Sequence, residues 1–415
     1  MKQRRWKCPR CGFQTNERFP FVERYKQSTN LTPLLVLDAL KDLQVSTRSV
    51  ARKFHMSDTQ IRNIFSSYVD LKRLSLTEFI SIDEVYLNID DSHKYAFVIM
   101  DFASGQIIDI VSNRWTSTLE KYFLSIPREE RLLVKGIISD AYKPYLESVP
   151  AFFPNACSIL DSFHVISFLI RKLNDHLNRM IRARREKLKK EWLKSHPECS
   201  DTASSPPDSR EIILLRDYRW ILLKNYKEIN RSGYPKWHQK LRMRVDTASI
   251  ESMFFAIDPS LRKLHRLKEE YLAFNDAFYP TTEEASKTLE TLIQKYKRSD
   301  QRVFVEFAQF LKAHKKEIAL SFTAAEVSRR GSKDLETCYA RLSNGPMESF
   351  NRKPKDYKRN ARGTSNFDYT RNRILWAERK NPPILGIPKT SEQIHTKSLS
   401  EKTKKKRGSS YNKKK

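Results

Sequence analysis

The pattern of apolar and polar positions changes its period near residue 79, where helical spacing gives way to strands. From there to about residue 163, short runs rich in Ile and Val alternate with polar segments, a pattern typical of β-strands. Helices are predicted at about 116–126 and 142–149. The order of three strands, helix, strand, helix, strand indicates an α/β domain with a mixed sheet. The five predicted strands lie in EFISIDEVYLNI, YAFVIMDF, GQIIDIV, LLVKGIIS and CSILDSF.

Residues 31–78 predict three helices. The last two, at Ser46–Phe54 and Ser57–Tyr68, are joined by a short turn, which is the layout of a helix-turn-helix. The glycine that is common in such a turn is absent, so a plain helical hairpin is the alternative. In a helix-turn-helix the second helix enters the major groove of DNA. Its candidate DNA-binding residues are Ser57, Asp58, Thr59, Gln60, Arg62 and Asn63.

After Val165 the chain is helical and strongly charged, and helices are predicted to continue to about residue 350. The stretch 197–209 has no apolar periodicity, which is typical of a linker. Residues 396–415 hold nine Lys and Arg against one Glu, which is typical of a disordered electrostatic arm. The first of the charged helices carries an apolar stripe formed by Leu169, Leu173, Leu177, Ile181, Leu188 and Trp192.

The charge of the chain indicates a polyanionic partner. Its 415 residues include 78 Lys and Arg against 49 Asp and Glu, a net charge of +29. Nucleic acid is the first candidate for such a partner, with membrane surfaces and ribosomal RNA as alternatives. No apolar run is long enough to span a bilayer, and the basic N-terminus lacks the apolar core of a signal peptide. The five scattered cysteines follow a cytosolic pattern rather than a disulfide framework.

Two acidic residues occupy strand positions that suit phosphodiester chemistry, which uses two divalent metal ions held by carboxylates. Asp83 lies within an apolar strand run, where a buried carboxylate needs a compensating charge. Asp140 directly follows the fourth strand run, a usual site position in an open α/β sheet. Either residue could instead cap a helix or turn. Asp101, Asp109 and Asp161 are rival acids.

A third acid, Glu348, lies just after Asn344-Gly345-Pro346, a sequence that ends one element and begins a helix. A carboxylate in the first turn is favoured by the helix dipole, which is the purely structural interpretation. Residues 351–373, however, hold eight Lys and Arg against two Asp. An acid beside so basic a stretch is well placed where a phosphate is delivered.

Three motifs together resemble the ISL-three (ISL3) family of insertion-sequence transposases, over about residues 4–377. They are SIDEVYL, SDAYKPYLESVPAFFPNACSILDSFHV and SNGPMESFNRKPKDYKRNARGTSNFDYTRNRIL. The resemblance implies a ribonuclease-H-like mixed-sheet catalytic domain, preceded by a helix-turn-helix domain. Its DDE triad would be Asp83, Asp140 and Glu348, which would bind two Mg²⁺ or Mn²⁺ ions. The 208 residues between the last two acids imply a large α-helical insertion.

The same resemblance implies the activity and the partners. Such an enzyme cleaves the ends of its element with water and transfers the freed 3′-hydroxyls to target DNA. We expect double-stranded DNA as partner, a homo-oligomer on DNA, no membrane association, and a cytoplasmic, nucleoid-associated location in a bacterium. Two alternatives are an inactive transposase-derived DNA-binding protein and a ribonuclease-H-like nuclease without strand transfer. The expected contacts to the DNA backbone are Arg352, Lys353, Lys355, Lys358, Arg359 and Arg362.

Asp161 and His164 match a further family motif and would orient the scissile phosphate near the metal ions. A histidine at the start of a helix also has a purely structural interpretation. Relatives carry two cysteine pairs before the helix-turn-helix, whereas this chain has only Cys8 and Cys11. Because structural zinc needs four ligands, zinc binding is not expected unless another chain completes the site. The missing pair would lie upstream of Met1, so we expect a shortened copy.

These observations predict six segments. They are a remnant of a zinc-binding segment at 1–30, the helix-turn-helix domain at 31–78, the first part of the catalytic domain at 79–168, the α-helical insertion at 169–340, the last catalytic helix with a basic DNA-binding segment at 341–380, and a basic disordered tail at 381–415.

Overall fold

The centre of the molecule is a five-stranded mixed sheet with the strand order β5-β4-β3-β6-β7. Its strands are β3 (Phe79–Tyr86), β4 (Tyr95–Asp101), β5 (Ile107–Val111), β6 (Gly136–Ser139) and β7 (Cys157–Leu160). The first three form an antiparallel meander, while β6 pairs parallel to β3 and β7 parallel to β6. All five strands lie where the apolar runs predicted them.

The computed structural model describes residues 4–22, 28–90, 93–142, 145–146, 151–196, 206–231, 233–328, 337–361 and 366–395. The N-terminal hairpin of β1 (Arg5–Lys7) and β2 (Gln14–Asn16) precedes the sheet. The helix predicted at 142–149 falls largely on positions outside the described residues. The same holds for residues 197–205 of the predicted linker and for the basic tail from residue 396.

Three helices form the N-terminal unit, namely α1 (Thr32–Ala39), α2 (Thr47–Phe54) and α3 (Asp58–Tyr68). Ser46 and Ser57 cap the last two, and the Ser57 hydroxyl accepts a hydrogen bond from the Gln60 backbone N–H at 3.2 Å. His55 adopts the left-handed conformation, with φ of 52°, at the turn between them. A residue other than glycine thus makes the turn, which explains why the glycine signal is missing.

One face of the sheet is covered by α4 (Thr116–Leu124), and the short α5 (Arg128–Leu132) follows it. Leu119 and Phe123 pack there against Ile80 and Phe97, among other buried residues.

A second apolar core belongs to the helical region that follows β7. It begins with the 34-residue helix α6 (Ser162–Ser195), whose predicted stripe is buried from Leu169 to Ile181 and half-buried at Leu188 and Trp192. The remaining helices are α7 (Arg210–Asp217), α8 (Trp220–Leu223), α9 (Thr247–Ala256), α10 (Pro259–Asp276), α11 (Thr282–Lys297), α12 (Arg302–Ala313) and α13 (Lys315–Leu320).

The prediction of uninterrupted helices to residue 350 is wrong. Two antiparallel hairpins interrupt them, formed by β8 (Lys236–His238) with β9 (Met243–Val245) and by β10 (Ala324–Ser328) with β11 (Thr337–Arg341). These strands of three to five residues lack the run of Ile and Leu that marks the equally short β5, β6 and β7, and they are too short to show a period of two.

The second face of the sheet packs against α14 (Gly345–Asn360) and α15 (Phe367–Glu378). The short α16 (Ser391–His395) contacts α3, so the prediction of a disordered tail from residue 381 is wrong up to residue 395, because this segment is held by hydrogen bonds to the end of α3. The N-terminal helices share one apolar core with this face and with α14 and α15. Within the joint, the fully buried Arg373 donates from Nη2 to the carbonyl oxygens of Asp42 and Val45 at 2.7 and 3.3 Å. Trp376 donates to the Leu37 carbonyl oxygen at 3.0 Å. The helix-turn-helix unit therefore packs directly on the sheet domain.

Gly136 allows β6 to fit between its neighbours. A Cβ atom at this position would lie 2.7 Å from Ile159 Cδ1 and 2.8 Å from Phe79 Cδ1, which is closer than van der Waals contact. We expect Gly136→Ala to lower the free energy of unfolding by roughly 1–3 kcal/mol, the usual cost of overpacking. Denaturant unfolding would measure it. Gly345→Ala is the control, because its added Cβ meets nothing nearer than 3.7 Å. Equal stabilities of the two variants would contradict this account.

Candidate active site

Three acids lie in one row across the parallel strands. Ser81 of β3 pairs with Ile138 of β6, so Asp83 and Asp140 each lie two residues beyond that pair. Ser139 of β6 pairs with Leu160 of β7, so Asp140 and Asp161 each follow a paired residue. Because the three strands run in the same direction and neighbouring strands lie about 4.8 Å apart, their carboxylates meet at one edge of the sheet.

Asp83 is the most constrained carboxylate in this row. Its Oδ1 accepts a hydrogen bond from the Glu84 backbone N–H at 2.7 Å, and its Oδ2 accepts one from Asn351 Nδ2 at 2.7 Å. Burial, with a smaller contribution from the charge of Asp140, raises the pKa of Asp83 to about 6. A cation at this position would oppose both effects.

Glu84, the neighbouring acid, is committed to the opposite face of the sheet. It accepts a hydrogen bond from Arg114 Nη1 at 2.6 Å and another from the Tyr145 hydroxyl. Since successive side chains of a strand point to opposite faces, only Asp83 of the two lies on the side of Asn351 and α14.

Asp140 is half-buried where β6 ends. Its Oδ1 accepts a hydrogen bond from the Tyr142 backbone N–H at 3.1 Å, which closes a short turn after the strand. This is the turn-capping arrangement that the sequence left open, and it is compatible with a metal-binding role because a carboxylate has further lone pairs to offer.

Glu348 reaches the row from α14, where it lies in the first turn as the sequence predicted. The start of this helix is fixed by Asn344, whose backbone N–H donates to Asp161 Oδ1 at 2.9 Å and whose Nδ2 donates to the Ile82 carbonyl oxygen at 3.3 Å. Burial, with a smaller contribution from the charge of Asp161, raises the pKa of Glu348.

Asp161 and His164 lie beside Glu348. One ligand atom from each of the three falls within 4.8 Å of the others, and His164 Nε2 lies 4.0 Å from Asp161 Oδ2. Asp161 is 1% exposed, and burial raises the pKa of its carboxyl group. His164 and Asp140 both act electrostatically on Asp83. Among the described residues, the structure thus groups Glu348 with Asp161 and His164 at distances that suit one metal ion, and Asp83 and Asp140 lie in the same row of strands but outside that group.

The residues at this edge fit a divalent cation. Among the described residues, Asp161 Oδ2, Asn344 Oδ1 and Asn351 Oδ1 are buried oxygens without a hydrogen-bond partner. Buried polar atoms are rarely left in that state, and oxygen atoms of carboxylates and amides are the ligands that Mg²⁺ and Mn²⁺ prefer.

Two rival acids have structural roles elsewhere. Asp101 lies at the opposite edge of the sheet, where it accepts hydrogen bonds from Thr77 Oγ1 at 2.8 Å and from Ser104. Asp109 accepts hydrogen bonds from Arg371 Nε at 2.8 Å and from the Tyr122 hydroxyl at 2.9 Å, which ties β5 to α15 and α4.

Sequence reasoning missed Asn344 and Asn351. Asn351 follows Glu348 by three residues, a spacing that puts both side chains on one face of a helix. That spacing was the available signal for Asn351. No local signal could have indicated the contact of Asn344 with a strand 262 residues away.

The candidate base-contacting residues lie at the exposed start of α3. Those at Ser57, Thr59, Gln60 and Arg62 are exposed, and Asn63 is half-buried. The other end of the helix is covered, because the backbone N–H groups of Leu385 and Lys389 donate to its last carbonyl oxygens at 2.9 Å. The N-terminal end of a recognition helix is the part that contacts bases.

The basic residues of α14 differ in their availability. Lys353 pairs with Glu378 at 2.8 Å and Arg359 with Asp356 at 3.1 Å. The side chains of Arg352, Lys353, Lys355 and Arg359 are exposed and that of Lys358 is half-buried, while Arg362 lies outside the described residues.

Cys8 and Cys11 lie in the turn of the N-terminal hairpin. The Cys8 backbone N–H donates to the Phe13 carbonyl oxygen at 2.8 Å, and the Gly12 N–H donates to the Cys8 carbonyl oxygen at 3.0 Å. Hydrogen bonds from the backbone of Cys11 and Arg10 lower the pKa of the Cys8 thiol. Within the described ranges no further His, Cys or acid joins the pair to form a group of three, so two of the four ligands for zinc are present here.

A three-helix unit with a capped recognition helix, packed on a sheet that gathers acids at one edge, defines a class of DNA-modifying enzymes. The chain belongs to the transposase family ISL3. The family model described as a transposase matches residues 80–331 and 324–374, and the model for the helix-turn-helix domain of this family matches residues 17–69. The second match confirms the helix-turn-helix prediction over the plain helical hairpin.

The chain is also similar to two named transposases. It is 23% identical over 234 residues to the transposase for insertion sequence element IS1001 of Bordetella parapertussis, covering 55% of this chain and 52% of that protein. It is 24% identical over 238 residues to the transposase for insertion sequence element IS1557 of Mycobacterium tuberculosis, covering 57% and 49%. The chain spans about half the length of the curated relatives it matches. In the part of the chain that the structure describes, no helix has the length and apolar character to cross a membrane.

The raised pKa of Asp83 predicts a pH-dependent gain in stability for Asp83→Asn without divalent ions. In the wild type, ionisation of the buried Asp83 carboxyl group lowers the free energy of unfolding as pH rises from the ordinary pKa of 3.8 through the folded value of about 6. The variant, which carries no charge there, should be about 1–3 kcal/mol more stable above pH 7 and equal below pH 4. Denaturant unfolding at several pH values would measure the difference. Asp356→Asn, at an exposed site of α14, should show no such gain. A gain independent of pH would contradict the assignment.

Proposed function

We propose that the chain is a DDE transposase that cleaves the ends of an insertion sequence and transfers the 3′-hydroxyl strands to target DNA. The observation that carries this proposal is the row of Asp83, Asp140 and Asp161 on parallel strands, faced by Glu348 on α14. Two metal ions need several carboxylates at one point, and this edge supplies four.

In this proposal Asp83, Asp140 and Glu348 are the catalytic metal ligands, and Asp161 is an additional acid that faces Glu348. These carboxylates would hold Mg²⁺ or Mn²⁺, and the bound ions would supply activation of the attacking oxygen and stabilisation of the leaving oxygen. Asn351 holds the Asp83 carboxylate through its hydrogen bond to Oδ2. His164, half-exposed beside Asp161, donates a hydrogen bond to a phosphate oxygen and so orients the scissile group.

The reaction balances without a covalent enzyme intermediate. Water breaks one phosphodiester bond at the end of the element and leaves a 3′-hydroxyl. That hydroxyl then attacks a phosphorus atom of the target, so one phosphodiester bond forms as another breaks.

We infer that the sheet domain is ribonuclease-H-like, with residues 79–168 and 341–380 as its two parts and residues 169–340 as a helical insertion. Three antiparallel strands followed by two parallel ones support this inference. The separate core of the helical region supports the insertion. The structure puts its first helix at Ser162, seven residues before the predicted start of the insertion.

The remaining predicted segments become part of the same proposal. Residues 31–78 bind the terminal repeats of the element, α14 and the basic tail from residue 396 contact the DNA backbone, and residues 1–30 carry one cysteine pair of a zinc-binding segment. Because two ends must be joined, the working form is a homo-oligomer on DNA, associated with the bacterial nucleoid.

One assay separates this proposal from its alternatives. The full chain is incubated with Mg²⁺ and a labelled duplex that carries the terminal repeats of its element. Strand-transfer products support a transposase. Nicks without joining indicate a nuclease, and binding without cleavage indicates an inactive DNA-binding protein.

The site assignment predicts that Asp83→Asn and Glu348→Gln each abolish cleavage and joining, since each removes a charged ligand. Binding to the duplex should stay within about twofold, because neither residue lies on the helix-turn-helix. Asp356→Asn, an exposed acid on the same helix as Glu348, should retain activity. Joining by Asp83→Asn at the wild-type rate would show that the site is elsewhere.

Metal binding can be measured without DNA. Mn²⁺ or Mg²⁺ should raise the melting temperature of the wild-type chain, because a ligand that binds only the folded state stabilises it. Asp161→Asn and Glu348→Gln should each reduce this rise, and Asp356→Asn should not. An equal rise in all four proteins would place the bound ion outside the proposed site.

A further inference from the structure

A group of exposed aromatic side chains lies beside the acids, and the proposed chemistry does not use it. We define the aromatic platform as Tyr86, Tyr95, Arg114 and Tyr142. The three tyrosine residues are 45%, 39% and 40% exposed, and Trp115, next to Arg114, is 56% exposed. Large aromatic side chains gathered at one exposed place usually mark a binding surface.

The platform lies at the end of the strands where the acids lie, and Tyr86 and Tyr95 project there on the face of Glu84, which is opposite to the face of Asp83. Tyr86 ends β3 and pairs directly with Tyr95, which begins β4. Because β5 runs antiparallel to β4, and β4 antiparallel to β3, Arg114 follows β5 at that same end. Tyr142 follows Asp140 by two residues, and its backbone N–H donates to the Asp140 carboxylate at 3.1 Å. The platform therefore begins at a proposed metal ligand.

Arg114 joins the rings into one surface. Its guanidinium carbon lies 4.7 Å from the centre of the Tyr95 ring and 5.5 Å from that of Tyr142. The Tyr86 and Tyr95 rings are 5.1 Å apart, and Lys358 Nζ lies 5.0 Å from the centre of Tyr86. The Arg114 side chain is held by Glu84 at 2.6 Å. Two cations and three tyrosines thus share one exposed patch.

This chemistry suits a nucleotide whose base is not paired. Aromatic and guanidinium faces stack on bases, while a nearby cation binds the phosphate. In a continuous duplex both faces of a base are covered by its neighbours, so a ring can stack on it only after the base leaves the helix. Tyr142 joins the platform to Asp140 through its backbone N–H, so a base stacked there would lie around the end of the sheet from the proposed site of cleavage.

We propose that the aromatic platform binds an unpaired DNA base near the scissile phosphate, so that the enzyme opens the duplex at the end of its element. This inference rests on the proposed function for the identity of the DNA. It assigns Tyr95, Arg114 and Tyr142 as positioning residues that hold the strand for the acids.

Base opening can be detected without cleavage. The full chain is bound to the terminal-repeat duplex without divalent ions, and thymines beside the cleavage position are tested for permanganate oxidation, which requires an unstacked base. Wild type should make one of them reactive. Tyr95→Leu should reduce the reactivity, Tyr95→Phe should preserve it, and Phe278→Leu, at an 86% exposed ring elsewhere, should have no effect. Wild-type reactivity in Tyr95→Leu, or no reactive thymine in a wild-type complex, would overturn the proposal.

Cleavage gives the second measurement. Tyr95→Leu should cut the paired duplex roughly 10-fold or more slowly, the loss expected from one stacking contact. Its deficit should shrink on a duplex in which a mismatch already frees the base. An equal deficit on both duplexes, with a lowered melting temperature, would show a structural role and overturn the proposal. Permanganate reactivity without any cleavage would support base binding by the aromatic platform and would count against the proposed transposase chemistry. Failure of this inference and failure of the proposed function are therefore distinguishable.

Discussion

The parallel pairing of β3, β6 and β7 is the constraint on which the site depends. It sets Asp83, Asp140 and Asp161 in one row, where Asp83 and Asp161 are withdrawn from water and Asp140 is half-buried. Burial raises the pKa of Asp83 and Asp161, and the same row determines where α14 must begin. Asn344 donates one hydrogen bond to the Asp161 carboxylate and another to the Ile82 carbonyl oxygen of β3. The start of α14 is therefore fixed by hydrogen bonds to the row of acids that it faces.

The sheet domain and the helix-turn-helix unit are joined through their interiors. Arg373 is fully buried, and among the described residues its Nε and Nη1 have no hydrogen-bond partner, so burial lowers its pKa. Its Nη2 nevertheless binds two carbonyl oxygens in the segment between α1 and α2. Burying an arginine side chain costs desolvation free energy. Arg373 is buried where α15 contacts the DNA-binding unit. The apolar core around it includes residues of all three N-terminal helices and of α14.

The sequence could predict the strands and two of the acids because both depend on neighbouring residues. Asp83 within an apolar run and Asp140 at the end of another are local patterns. Glu348 could be chosen only through the family motif, since its helix reaches the row through contacts such as the one between Asn351 and Asp83, 268 residues apart. The contacts of Asn344 are equally distant in sequence, so its role could not be predicted either. The hairpins β8–β9 and β10–β11 were missed because their short strands carry no apolar run like those of β5, β6 and β7. At the turn between α2 and α3, His55 occupies the position that glycine usually marks.

The interior joint of the two units has a geometric consequence for DNA. A DNA-binding unit on a loose tether could read its sequence at a variable distance from the bond that is cut. Here the exposed start of α3 and the acids at the sheet edge belong to bodies that share a core. If the proposed cleavage takes place at these acids, a duplex that advances about 3.4 Å for each base pair would present one phosphate at that fixed distance. The packing around Arg373 and Trp376 would then set the spacing between the recognised sequence and the position of the cut.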